Sequence, residues 1–151
     1  MDTIYSKKWE QDPLSEERKK GIILLAKAIL SNKILSDKKI HSKYIKELLS
    51  ILIWKITEIH GKHNTRYISF GVKNNKGKPI HEHVIPRKIL IEQILKSPKQ
   101  TEEILNSTIG CLVTKEEHAL LDNNGNGWER YKIAKIKVYD RLNGNYLKFS
   151  K

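Results

Sequence analysis

His81-Glu82-His83-Val84-Ile85-Pro86-Arg87 is the stretch on which the reading of this chain turns. Just upstream, Tyr67, Ser69 and Gly71 alternate with Ile68, Phe70 and Val72, a period of two that predicts a strand. Asn74-Asn75-Lys76-Gly77 supplies a turn, and Ile80 opens a second short strand on or just past which His81 to Ile85 sit. Pro86 has no amide hydrogen to give to a ladder, so regular pairing stops there. The histidine motif therefore ends an element.

On the N-terminal side the period is helical. Asp12-Pro13-Leu14-Ser15-Glu16-Glu17 combines a capping side chain, a proline in the first turn and early acids, and predicts a helix running to about Asn32. A second run from Asp37 places Tyr44, Leu48, Ile51, Leu52, Ile56 and Ile59 on one face before His60-Gly61 ends it, which makes residues 1–61 a helical hairpin. On the C-terminal side Lys88 to Lys96 is helical again, Ser97-Pro98 breaks it and Thr101 opens another short helix. Gly110-Cys111-Leu112-Val113 reads as a buried strand and Thr114 as the cap of a helix over Lys115-Glu116-Glu117. Beyond the Asn123 to Gly127 loop, residues 128–151 predict a short helix from Trp128 to Ala134. A hairpin of Ile136 to Tyr139 with Tyr146 to Phe149 follows, flanking Asn143-Gly144. The fold class is α+β, in a single domain.

A chain of 151 residues carrying 24 lysines and 5 arginines against 17 acids has a formal charge of +12, a field that draws polyanions. Residues 61–90 hold Lys62, Arg66, Lys73, Lys76, Lys78, Arg87 and Lys88 against Glu82 alone, so the charge gathers around the histidine motif. Part of the lysine excess serves only to keep the surface solvated. One cysteine, Cys111, excludes an internal disulfide and a four-thiolate zinc knuckle and suits a cytoplasmic setting. Met1 to Lys8 lacks an apolar signal core and residues 48–54 are too short to span a bilayer, so no membrane partner is expected.

Hydrolysis of a phosphodiester calls for a divalent cation that stabilises developing charge and a neutral imidazole that takes a proton from the attacking water. By composition either His81 or His83 can be that base. Neighbours on a strand point to opposite faces, so Glu82 and His83 converge only if the backbone departs from a regular strand, as the nearby Pro86 allows. His118 and Asp122, four apart on the expected helix, share a face on which they can share a cation. His60 and His63 read as loop residues and His41 as exposed. Trp128, Tyr131 and Tyr139, interleaved with Arg130, Lys132, Lys135 and Lys137, read first as core and second as a base-stacking surface.

His83-Val84-Ile85-Pro86 with Glu82 before it, and Val113-Thr114-Lys115-Glu116-Glu117-His118, resemble the two halves of the HNH, or His-Me finger, endonucleases over roughly residues 66–122. The resemblance implies a ββα-metal core over residues 65–122, behind the helical hairpin and before a small basic extension. It implies His83 as general base, Glu82 and His118 as metal ligands with Asp122 as a further ligand, and His81 and Asn106 in support, Asn106 standing for the family's central asparagine. The cofactor expected is Mg2+, with Mn2+, Zn2+ or Ni2+ also suited to such ligands. DNA is the expected partner, through Arg66, Lys73, Lys76, Lys78, Arg87, Lys88 and Arg130, and the charge admits RNA as well. A homodimer is compatible with the sequence. The alternative is a non-catalytic basic module that binds nucleic acid, or a phage or defence interaction protein, on an HNH-like scaffold.

Overall fold

The computed structural model describes residues 5–149, so residues 1–4 of the segment read for a targeting signal lie outside it. The architecture is α+β, with the helices of the N-terminal part packed beside a five-stranded sheet. Helix α1 spans Ser15–Ile29, α2 is one turn at Asn32–Leu35, and α3 spans Ser42–Thr57. Both long helices start later than their sequence signals. Asp12 Oδ1 accepts from Leu14 N at 2.8 Å and so shapes the turn before α1, while the first residue outside α1, Leu14, makes no side-chain cap. Asp37 does the same for Lys39 N at 2.9 Å, and His41 Nδ1 caps α3 by accepting from Lys43 N at 3.1 Å.

Ile23, Ala26 and Leu30 meet Ile45, Leu49, Ile53 and Ile56 in one apolar cluster. Helix α5 (Arg87–Lys96) adds Leu90, Ile91 and Ile94 to it, and α6 (Thr101–Asn106) adds Leu105, the two being joined by a 3-10 turn at Pro98–Gln100. This cluster presses α3 against one face of the sheet. No helix among the described residues is long and apolar enough to cross a membrane.

The strands are β1 (Tyr67–Ser69), β2 (Pro79–His83), β3 (Gly110–Thr114), β4 (Val138–Asp140) and β5 (Asn145–Tyr146), in the order β2-β3-β1-β4-β5. The alternation over residues 67–72 predicts a longer strand and a direct hairpin with β2; instead β1 stops at Ser69 and β3 lies between the two. The cause is local. Ser69 Oγ accepts from Val72 N at 3.1 Å and turns the chain into α4 (Phe70–Lys73). Thr114 repeats this on the parallel neighbour β3, accepting from Glu117 N at 3.2 Å at the start of α7 (Lys115–Leu120). The Glu117 carboxylate ties the turns together, accepting from Ser69 Oγ, from Gly71 N at 3.0 Å and from Thr114 N at 2.9 Å. Thr114→Ala is expected to lower the unfolding free energy by about 1 kcal/mol, as for a lost helix cap; urea unfolding with an unchanged slope against denaturant checks it.

The other sheet face is filled by Val84, Cys111, Val113, Tyr131, Ile136 and Val138, with Tyr131 delivered by α8 (Glu129–Ile133). Trp128 lies edge-on to Tyr67 and Tyr131, so these aromatics are core rather than a stacking platform.

Candidate functional site

Strand β2 stays regular through His83, paired residue for residue with β3 from Pro79↔Thr114 to His83↔Gly110. Its side chains must therefore alternate: His81 and His83 on one face, Glu82 on the other. The expectation that Glu82 and His83 would close on one phosphate is corrected here. Pro86 acts too late, after the strand has already placed all three side chains.

On the Glu82 face a carboxylate with 11% of its side-chain surface exposed is held between an imidazole and a guanidinium. Glu82 Oε2 stands 2.9 Å from His118 Nε2, and Oε1 accepts from Arg130 Nη1 and Nη2, both at 3.1 Å. His118 is carried by α7, whose capping box of Thr114 and Glu117 fixes the helix start, and its side chain remains 43% exposed. Arg130, on α8, has no exposed side-chain surface. Its Nη1 also donates to His83 O at 2.9 Å and Val84 O at 3.1 Å, and its Nε to Asp122 O at 2.7 Å. The loop before α8 closes over this guanidinium so tightly that a Cβ at Gly125 would stand 2.7 Å from Arg130 Cγ. Glycine is required there by close approach.

On the opposite face Thr57, at the end of α3, receives both histidines. Its hydroxyl donates to Trp54 O at 2.9 Å, which leaves its oxygen to accept from His81 Nε2 at 2.8 Å and His83 Nε2 at 3.1 Å. Both imidazoles thus carry their proton on Nε2. The Trp54 ring stacks on His81 at 5.6 Å and tilts against His83 at 5.5 Å, and His81 Nδ1 is buried with no hydrogen-bond partner among the described residues. A Cβ at Gly110 would stand 3.0 Å from the His81 ring, so the bare backbone of β3 is what admits it. Burial is the main cause that pushes His81 down to about 4, and Glu58 opposes it weakly. Burial likewise pushes His83 down to about 3, with the neighbouring His81 and Arg87 adding to the effect. Both rings are neutral at physiological pH.

Of the remaining expected site residues, Asp122 does not join His118. Helix α7 ends at Leu120, Leu121 is extended, and Asp122 Oδ1 instead accepts from Asn124 N at 2.8 Å. Asn106 closes α6 and lines a cavity of about 300 Å³ with Trp9, His60 and Tyr67; it makes no hydrogen bond to His83. Among the described residues no group of three or more His, Cys, Asp or Glu is placed to hold a metal ion.

The nucleic-acid candidates also divide. Arg130 is buried on Glu82 and offers no charge to a phosphate, while Arg66, a third exposed, makes a two-point pair with Asp140 at 2.8 and 2.6 Å. Lys73 lies over the Tyr139 ring and Lys76 over Phe70, while Lys78 and Lys88 are exposed. Arg87 lies over Trp54 at 4.8 Å. Thr57 and Trp54 escaped the sequence reading altogether, because nothing in an amphipathic helix marks which polar residue at its end will meet a strand 24 residues away. The chain matches no protein-family model, no curated protein and no solved structure.

Proposed function

We propose that this protein is a metal-dependent endonuclease that hydrolyses phosphodiester bonds in DNA, centred on Glu82 and His118. The observation that supports it is their contact: a buried carboxylate on β2 meets a half-exposed imidazole on α7, where the antiparallel pair β2 and β3 runs into that helix. Glu82 Oε2 and His118 Nε2, 2.9 Å apart, are the two atoms that would hold the cation. One carboxylate and one imidazole suit Mg2+ and also Mn2+, Zn2+ or Ni2+, and Mg2+ is commonly held by one or two protein groups with water and substrate phosphate completing its shell. When bound, the cation supplies Lewis-acid stabilisation of charge on the scissile phosphate.

The chain's own residues do the rest. Arg130 fixes Oε1 and so leaves Oε2 as the free edge of the carboxylate, while the exposed side of His118 opens the pair to substrate. The +12 charge concentrates a polyanion at the surface. His83, hydrogen-bonded to Thr57 on the other face, takes no part in proton transfer in this proposal. The lone buried thiol of Cys111 is in keeping with a reducing cytoplasm as the working compartment.

The second reading is a non-catalytic nucleic-acid-binding module. It is favoured by Arg130, which already neutralises Glu82, and by the missing third ligand among the described residues. Plasmid and RNA incubated with the protein in Mg2+, Mn2+ or chelator separate the two. Metal-dependent nicking is expected, and His118→Ala is expected to reduce it about a hundredfold or more, since losing even a residue that only supports a ligand costs about 10–100-fold. His83→Gln is expected to leave cleavage by the folded fraction in place. Binding without nicking in every metal selects the module.

A further inference from the structure

Helices α3 and α5 flank an open trough of about 410 Å³, lined by Lys46, Ser50, Arg87 and Lys88, on the side of the molecule that carries His83. A second open depression of about 450 Å³, along α3 alone, shares Lys46 and Ser50 and extends to Lys43. Among the described residues Glu92 and Glu47 are the only acids that line these depressions, and Glu47 is already 3.8 Å from Lys43. Arg87 is the distinctive member. Its guanidinium lies 4.8 Å over the Trp54 ring and Nη1 donates to Ser50 Oγ at 2.8 Å, yet among the described residues no carboxylate is within ion-pair distance of it. Arg18, Arg66 and Arg130 each have such a partner. A planar fork held in place, with its remaining N–H groups unspent, is the arrangement that recognises phosphate oxygens at two points.

We infer that this trough is the seat for a nucleic-acid backbone, with Arg87 gripping one phosphate and Lys46 and Lys88 its neighbours. The inference deepens the nucleic-acid reading proposed above and rests on it. Three cations lining one trough complement a polyanionic backbone, and the seat lies on the opposite face of β2 from the Glu82–His118 pair, so gripping and cleaving are separable.

The test is fluorescence anisotropy of labelled DNA, duplex and single-stranded, titrated with protein across a salt series. In the triple variant Arg87→Gln, Lys46→Gln, Lys88→Gln the affinity is expected to fall about tenfold or more, and the slope of log K against log salt to flatten by about 2–3, as three lost phosphate contacts require. If the triple variant is poorly folded by thermal unfolding, the double variant Lys46→Gln, Lys88→Gln, which keeps Arg87 on Trp54, should flatten the slope by about 1–2. Undiminished binding in the variants overturns the seat while leaving nucleic-acid binding standing. Equal loss in a Lys73, Lys76, Lys78→Gln control overturns it as well, since charge alone would then suffice. Equal competition by poly-glutamate overturns the choice of nucleic acid, and absence of wild-type binding overturns both readings together.

Discussion

Replacing Arg130 with methionine is expected to remove about 3–5 kcal/mol of stability, the scale seen when one partner of a buried ion pair is deleted. Methionine fills much of the same space, so the loss is electrostatic rather than a cavity. Glu82 would keep a buried charge with only half-exposed His118 beside it, and the carbonyls of His83, Val84 and Asp122 would lose their donor at once. Arg130→Lys should rescue little, because one ammonium cannot reach acceptors spread over the end of β2 and the loop at Asp122. Adding Glu82→Gln to Arg130→Met should recover part of the loss, since it removes the stranded charge. Urea unfolding of wild type, Arg130→Met, Glu82→Gln and the double variant measures this cycle, with Arg130→Lys beside it. A loss below about 1 kcal/mol, in the range of an exposed pair, would show that the buried guanidinium is not what anchors the Glu82 carboxylate.

How far this was legible differs from element to element. Helices α1, α3 and α5 were readable because their apolar residues recur at helical spacing and tertiary packing uses the same faces. Strand β2 was readable too, and its alternation already carried the decisive fact that Glu82 and His83 face apart. What could not be read was competition among hydrogen bonds: Ser69 Oγ ends an alternating strand pattern after three residues, and Leu121 turns out of the helix that would have aligned Asp122 with His118. Arginine usage was a signal left unused. In a chain with 24 lysines the five arginines are places where a fork is needed, and Arg18, Arg66, Arg87, Arg130 and Arg141 all make specific hydrogen bonds. Three of them, Arg18, Arg66 and Arg130, take up carboxylates, and of these only Arg130 is fully buried.

Acid is expected to destabilise the fold well before carboxylates titrate. His81 and His83 are held down to about 4 and about 3 in the native state, against 6.5 ordinarily. The native protein therefore keeps both rings neutral while the unfolded chain takes up two protons as pH falls through about 6.5, so stability is undiminished above that pH. It declines from there until the native rings themselves protonate, near 4 and 3. At pH 5 the loss is about 2 kcal/mol per ring, about 4 in all, a large share of the 5–15 kcal/mol typical of a domain. His60, also lowered by burial, acts in the same direction. The physical source is burial of the two rings against Trp54, to which the positive charge of Arg87 adds. Urea midpoints at pH 7.5, 6 and 5 measure the slope, and His81→Gln with His83→Gln, which keep an amide donor for Thr57 but cannot titrate, should flatten it whatever they do to stability at pH 7.5. A slope as steep in that double variant as in wild type would locate the acid sensitivity elsewhere.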